Sequence, residues 1–68
     1  MIDISKLTER DKGKSVIYRP YTKYDLEQVE FGTITSWNNK YIFVDYGWSH
    51  GRGVATDPSL LDLIKIGN

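Results

Sequence analysis

The segment GTITSWNNKYIFVDYG, residues 32–47, carries the clearest structural signal in the sequence. Two runs rich in β-branched and aromatic residues, VEFGTITSW (29–37) and KYIFVDY (40–46), flank two asparagines at positions 38 and 39. Asparagine tolerates the positive φ angles of tight hairpin turns, so we expect a two-residue turn at this pair. The segment therefore predicts a β-hairpin, with Gly32 as a bulge or bend in its first strand.

A two-residue turn would determine the register of this hairpin. The expected pairs are Trp37 with Lys40, Ser36 with Tyr41, Thr35 with Ile42, Ile34 with Phe43, and Thr33 with Val44. In this register Ile34 and Phe43 share one face, while Ile42 and Val44 share the other. Both faces carry apolar residues, so both are candidates for the interior of the domain.

Three further strands are predicted outside the hairpin: residues 14–19, GVAT (53–56) and LIKI (63–66). In the first of them, Val16 and Tyr18 lie on one side. Pro20 ends that strand, because proline has no amide to donate to a sheet. The polar segment 20–28 has no periodicity and predicts a long hairpin loop. Five short strands with frequent turn signals indicate a small, strongly bent barrel.

Capping patterns predict two helical turns. Thr8 and Asp11 can form a capping box, and Gly13 can end that turn in a left-handed conformation. Asp57 can cap a second turn that begins at Pro58, where the missing amide costs nothing. We therefore expect one helical turn near the N-terminus and another before the last strand.

The chain has 68 residues, which is the size of one domain, so we assign 1–68 to a single unit. An N-terminal arm with its helical turn occupies 1–13, and the barrel occupies 14–66. The sequence has no cysteine, so neither a disulfide nor a thiolate metal site can stabilise the fold. Two tryptophans, two phenylalanines and five tyrosines must therefore supply much of the buried area.

The charges of the chain are balanced, with nine basic and nine acidic residues. The balance gives no overall electrostatic argument for nucleic acid or for an anionic membrane. No apolar run reaches membrane-spanning length, and the N-terminus lacks the basic-then-apolar order of a signal peptide. We expect a cytoplasmic protein with no membrane partner.

The order of these segments resembles the SH3-like barrels of the Tudor type. In those barrels a middle hairpin runs into a Phe/Tyr-x-Asp-Tyr-Gly corner, followed by a short strand, a helical turn and a closing strand. Here the corner reads FVDYG over residues 43–47, and residues 14–66 follow the whole pattern. The resemblance implies an all-β fold, a small five-stranded SH3-like barrel with short helical turns near the N-terminus and before the last strand.

Three segments also resemble a group of short proteins of tailed phages and prophages. The shared patterns are DISKLT..D.G..V.YR, G.ITSWN..YIFV.YG and AT.P..L, which here fall at residues 3–19, 32–47 and 55–61. The resemblance implies a phage origin, and therefore a bacterial host cell as the site of action. It implies no particular activity.

An aromatic cage is the first candidate site. In Tudor-like domains that read methylated side chains, aromatic residues of the first strand and the hairpin surround the ammonium group by cation–π contact. The matching positions in this sequence are Tyr18, Phe43 and Tyr46, and a fourth aromatic would fall at Glu30 or Phe31. The same rings also suit the core or the mouth of the barrel, because aromatic residues in small domains are first of all packing residues.

A second candidate group consists of aromatic and basic residues in loops and at strand ends. Its members are Tyr46, Trp48, Trp37, Tyr21, Tyr24, Arg19 and Arg52. Tyrosine, tryptophan and arginine are the usual anchors of protein interfaces, so the group predicts a protein-binding patch, which could also serve a homodimer. The alternative ligand is single-stranded RNA or DNA, because such residues also stack on unpaired bases and hold phosphates.

Enzymatic chemistry is not indicated. Asp45, Ser49 and His50 supply an acid, a hydroxyl and an imidazole, but neighbours in sequence do not have the geometry of a triad. Without a second histidine or a cysteine the chain cannot complete a typical metal site, and GWSHGRG lacks the Lys-Ser/Thr of a phosphate-binding loop. We expect no cofactor and no metal. The sequence thus predicts a non-enzymatic, phage-encoded binding module for a host or phage protein.

Overall fold

A computed structural model of the chain describes residues 1–20 and 29–64. The described part is all-β, as predicted, with five strands and short 3₁₀ helices. The strands are β1 Ser15–Tyr18, β2 Glu30–Trp37, β3 Ile42–Asp45, β4 Val54–Thr56 and β5 Leu61–Leu63. The 3₁₀ helices are Ile4–Lys6, Glu9–Asp11 and Pro58–Leu60. No helix within these two ranges is long and apolar enough to cross a membrane.

The strands form one antiparallel sheet in the order β4-β3-β2-β1-β5. The long strand β2 connects its two halves, because its first residues pair with β1 and its last residues pair with β3. Thr33 belongs to both halves, lying opposite Ser15 on one side and Asp45 on the other. Within the described ranges the sheet is open, and β4 and β5 form its edges.

The core lies on one face of this sheet. Its buried residues are Ile2, Val16, Ile34, Ile42, Val44 and Leu61. The N-terminal arm contributes Ile2 to this cluster, and Ile4 and Leu7 pack against it. The amide of Ile2 donates to the carbonyl oxygen of Pro58 at 3.0 Å, which ties the arm to the 3₁₀ helix before β5.

The two strands of the central hairpin are confirmed, but the predicted two-residue turn and its register are wrong. Trp37 lies opposite Ile42, so four residues, 38–41, connect the strands. The side-chain oxygen of Asn38 accepts hydrogen bonds from the amides of Lys40 at 2.8 Å and Tyr41 at 2.7 Å. These bonds close a wider, four-residue turn around the Asn38 side chain. Asparagine favours such turns because its side chain accepts hydrogen bonds from backbone amides a few residues on.

The irregularity in β2 lies at Thr35 and not at Gly32, where the sequence predicted it. The register shifts between Ile34, which lies opposite Val44, and Ser36, which lies opposite Phe43. Gly32 has another reason to be glycine. A Cβ atom there would lie 2.5 Å from Cγ1 of Val44 and 2.7 Å from the carbonyl oxygen of Asp45, so only glycine lets the strands approach this closely.

The bulge at Thr35 answers the question of which face is the interior. Ile34 and Trp37 are three positions apart and would lie on opposite faces of a regular strand. One extra residue between them puts both on the face that carries the buried Ile42 and Val44. Phe43 therefore lies on the other face, apart from Ile34, with which the predicted register had paired it.

Both predicted helical turns are confirmed as 3₁₀ helices. The side chains of Thr8 and Asp11 form the predicted capping box, and the amide of Thr8 donates to Oδ2 of Asp11 at 2.8 Å. Asp57 caps the second turn, accepting a hydrogen bond from the amide of Ser59 at 2.9 Å. Pro58 occupies the start of that helix as expected.

The predicted first and fourth strands are also confirmed, within a residue of their expected bounds. The closing strand begins earlier than the predicted 63–66. It starts at Leu61, because this fully buried side chain pairs opposite Tyr18 of β1. The predicted loop residues 21–28 and the end of the predicted closing strand, residues 65–66, lie outside the described residues.

Candidate binding site

Three aromatic side chains meet at one end of the sheet. Tyr18 ends β1, Tyr46 follows β3, and Trp48 lies in the loop between β3 and β4. The rings of Tyr46 and Trp48 stack with their centroids 5.6 Å apart and their planes at 6°. The rings of Tyr18 and Tyr46 meet edge to face at 6.0 Å. Trp48 stays 57% exposed, so the cluster has one packed side and one open side.

The loop that carries Trp48 is held by its own polar groups. Oδ1 of Asp45 accepts a hydrogen bond from the amide of Gly47 at 2.9 Å and lies 3.1 Å from the hydroxyl of Ser49. Ser49 is buried, and its hydroxyl also lies 2.7 Å from the carbonyl oxygen of Arg52. Gly47 has a φ of 82°, which glycine adopts without steric cost. These contacts hold the backbone on both sides of Trp48.

Tyr46 links this loop to the core. Its ring packs against the core cluster, and its hydroxyl lies 2.8 Å from Oγ1 of Thr56 in β4. Burial raises the pKa of Tyr46 above its ordinary value, the hydrogen bond with Thr56 opposes this effect, and Tyr18 and then Glu30 add to the rise. The hydroxyl is therefore neutral at physiological pH, and Tyr46 serves as a fixed support for the ring of Trp48.

A groove of about 220 Å³ lies beside the stacked rings, and we call it the aromatic groove. Its lining residues include Tyr18, Glu30, Tyr46, Trp48, Thr56 and Asp57. Oε1 of Glu30 accepts a hydrogen bond from the indole nitrogen of Trp48 at 3.1 Å. The amide and hydroxyl of Ser59 lower the pKa of Asp57, which keeps this carboxylate charged. Two carboxylates line the groove, and no described lining residue is basic.

The opposite side of Trp48 has a different character. A wider depression of about 570 Å³ is lined by Trp48, Ser49, His50, Arg52, Gly53 and Val54, and we call it the basic pocket. His50 and Arg52 are exposed at its rim. Trp48 and Val54 line both the aromatic groove and the basic pocket, so the exposed indole stands between an acidic and a basic surface.

The structure brings together only part of the predicted cage. Tyr18 and Tyr46 are in contact, but Phe43 alternates with the buried Ile42 and Val44 and lies on the opposite face of β3. Trp48 takes the third place beside Tyr46. The trio at the groove is therefore Tyr18, Tyr46 and Trp48.

The predicted binding patch is divided in the same way. Trp37 lies at the far end of β2, roughly 20 Å from Glu30 along the strand, and Nζ of Lys12 lies 5.8 Å from its ring centroid. Arg52 lines the basic pocket beside Trp48. Arg19 interacts electrostatically with Asp62 in β5. The pKa of Asp62 is lowered chiefly by the N-terminal amino group and to a smaller extent by Arg19. The remaining members, Tyr21 and Tyr24, lie outside the described residues.

Sequence reasoning recognised Glu30 only as one of two positions for a fourth cage aromatic, and did not predict an acidic groove. Glu30 reaches it because it pairs opposite Tyr18, a register that follows from strand pairing between β1 and β2 and not from any local motif. Asp57 was recognised only as a helix cap. Nothing in the sequence distinguishes a helix-capping aspartate that also borders a groove from one that only caps a helix.

Comparison of the chain with models of protein families, with curated proteins and with solved structures finds no significant match. Function therefore has to be inferred from the groove and the pocket themselves.

Proposed function

We propose that this chain is a small, non-enzymatic binding module whose partner is a protein that docks at the aromatic groove. The observation that carries the proposal is the stack of Tyr46 and Trp48, which leaves an indole exposed but held in place. Exposed tryptophan is a common centre of binding energy in protein interfaces. A side chain that is already fixed loses little conformational freedom when a partner binds.

The charge of the groove indicates which part of a partner enters it. Glu30 and Asp57 supply two carboxylates beside the rings of Tyr18, Tyr46 and Trp48. Aromatic faces with nearby carboxylates favour a cation, since the ring quadrupole and the negative charges attract it together. The groove therefore suits a lysine or arginine side chain of the partner, whereas a phosphate would meet two like charges there.

The proposal includes the barrel and the origin that the resemblances imply. The strand order, the sharing of β2 between two halves of the sheet, and the 3₁₀ helix before β5 support an SH3-like barrel of the Tudor type. The phage resemblance adds that the module acts in the cytoplasm of a bacterial host, on a host or a phage protein. In this proposal the loop at residues 46–53 both forms a corner of the fold and holds Trp48 in place.

Single-stranded nucleic acid is the second candidate ligand. It is favoured by the basic pocket, where Arg52 and His50 lie beside the open face of Trp48. Bases could stack on the indole while the guanidinium holds a phosphate. Such binding should weaken steeply with salt, because phosphate neutralisation releases counterions.

A pull-down from bacterial lysate, with and without nuclease, tests the proposal. We expect a nuclease-resistant protein that wild type retains and Trp48→Ala loses. Phe31→Ala is the matched control, because Phe31 is an aromatic residue of similar exposure, 62%, at another position. Circular dichroism should first show that both variants are folded.

The outcomes of this experiment separate the two ligands. Material that disappears on nuclease treatment would assign the surface to nucleic acid. If Trp48→Ala retains the same proteins as wild type, or if Phe31→Ala loses them equally, the aromatic groove is not the binding site.

A further inference from the structure

The basic pocket adjoins the aromatic groove but carries the opposite charge. Its basic side chains are those of Arg52, whose guanidinium is charged, and His50, and Trp48 forms the wall that it shares with the groove. The groove carries Glu30 and Asp57 on the other side of that wall. Opposite charges on the two sides of one exposed ring are complementary to a partner that carries both signs close together.

The backbone of the basic pocket is held in an uncommon conformation. His50 has a φ of 54°, a left-handed value that non-glycine residues adopt rarely. The amide of His50 donates to the carbonyl oxygen of Gly47 at 3.1 Å, and the amide of Arg52 donates to the carbonyl oxygen of Ser49 at 3.1 Å. The loop therefore presents His50 and Arg52 from a fixed backbone, and the surrounding contacts offset the conformational cost at His50.

Asp45, the acid just before this loop, does not line the basic pocket. Asp45 lies within hydrogen-bonding distance of the Gly47 amide and the Ser49 hydroxyl, so its carboxylate is satisfied by the loop itself. Its interaction with His50 is the weakest of the causes that lower the pKa of Asp45. No described residue that lines the basic pocket is acidic, so the guanidinium of Arg52 can interact with an anion from outside.

We propose that the basic pocket is a subsite for an anionic group, a carboxylate or a phosphate, carried by the same partner segment whose cation occupies the aromatic groove. This inference rests on the proposed function and specifies its partner further. The recognised segment contains a lysine or arginine and, within a few residues, an acidic or phosphorylated side chain. Trp48 contacts the stretch between the two charges.

Short peptides titrated into ¹⁵N-labelled protein test the subsite by NMR. The probes are Ac-Gly-Lys-Gly-Glu-Gly-NH₂, the same peptide with glutamine in place of lysine, of glutamate or of both, and a version with phosphoserine in place of glutamate. The indole N–H of Trp48 reports on the shared wall, and the amide of Arg52 reports on the pocket. The glutamate and phosphoserine peptides distinguish the two sources of the anion.

We expect replacement of the peptide glutamate by glutamine to weaken binding to wild type about 1.4- to fivefold, the range of an exposed ion pair. The same replacement should have no effect on Arg52→Ala. Arg10→Ala is the matched control, since it removes an exposed arginine from the N-terminal arm. It should keep the full effect of the glutamate.

Each other outcome has a distinct meaning. If wild type binds the glutamate and glutamine peptides equally, the subsite is overturned while the proposed groove stands. If only the anion matters and lysine does not, the cation site of the proposed function fails and the anion subsite stands alone. If no peptide shifts either resonance, both are overturned. Hexathymidylate is titrated in the same way as a nucleic-acid probe. If it shifts these resonances more strongly than any peptide does, the pocket belongs to nucleic acid and the subsite is overturned.

Discussion

Trp48 illustrates how an exposed aromatic side chain can be held still. Its indole stacks on Tyr46 and donates to Glu30, which lies 18 positions earlier in the chain. Tyr46 is in turn held by Thr56 and by the core. This chain of contacts connects an exposed ring to the buried part of the fold. A ligand that stacks on Trp48 would therefore meet a surface with little freedom left to lose.

The aromatic members of this site could be predicted from the sequence, whereas its acidic character could not. Tyr46 and Trp48 are two positions apart on a short corner, so their proximity follows from local sequence. Glu30 meets Tyr18 only because β2 pairs with β1 in a particular register, and it reaches Trp48 through the pairing of β2 with β3. A register between strands separated by a long connection does not follow from local patterns.

Asp45→Asn tests whether this carboxylate holds the corner. The Gly47 amide and the Ser49 hydroxyl lower the pKa of Asp45, because both favour its charged form. A depressed folded-state pKa gives stability that is present above the unfolded value of about 3.9 and is lost as pH falls through the folded value. We expect Asp45→Asn to unfold at lower urea than wild type at neutral pH, and this difference to shrink below about pH 4.

The control for that measurement is Glu9→Gln, which removes an exposed carboxylate from the N-terminal arm. It accounts for the change in net charge. A difference between Asp45→Asn and wild type that stays constant down to about pH 2 would show that charge at Asp45 does not stabilise the corner.

Among the strands, β2 shows why a period-two pattern can predict the position of a strand correctly and still assign its residues to the wrong faces. Its residues have the expected β-branched and aromatic character, and the strand forms where the sequence predicts it. A regular register would put apolar residues on both faces. The bulge at Thr35 removes that conflict by bringing Ile34 and Trp37 to one side. Apolar residues on both faces of a predicted hairpin were thus the available signal for a bulge.

Deleting Thr35 tests this account of β2. Without the extra residue, Ile34 and Trp37 become two positions apart and still share the core face. We expect the deletion variant to fold with a loss of only about 1–2 kcal/mol, mainly from the lost bond between Oγ1 of Thr35 and the carbonyl oxygen of Phe43. Urea unfolding followed by circular dichroism measures this loss.

Deleting Thr33 is the matched control, since it removes another threonine from the regular part of the same strand. That deletion makes Gly32 and Ile34 neighbours, so they can no longer point to the same face of the strand. Either the residues paired with β1 or those paired with β3 must then point away from the core. We expect it to abolish cooperative unfolding. Equal stability of the two deletion variants would contradict the bulge as the reason for the shared face.

Considered as a unit, the domain has a small core that depends on its N-terminal arm. Only six apolar residues are buried among the described ones, and Ile2 of the arm is one of them. The sequence indicated the helical turn of the arm through its capping box, and Leu7 as an apolar residue before it. It gave no sign that Ile2 reaches the core, because an apolar residue at the second position has no periodic context.

Ile2→Ala tests how much the arm contributes to stability. Ile2 is 7% exposed and packs with the buried core, so truncation leaves a cavity that the short arm can only partly fill. We expect the free energy of unfolding to fall by about 2–4 kcal/mol, a large share of what so small a domain possesses. Lys6→Ala, at an exposed position of the same arm, should change it by less than about 0.5 kcal/mol. If the two variants have equal urea midpoints, the arm only covers the sheet, and the body of the fold is stable without it.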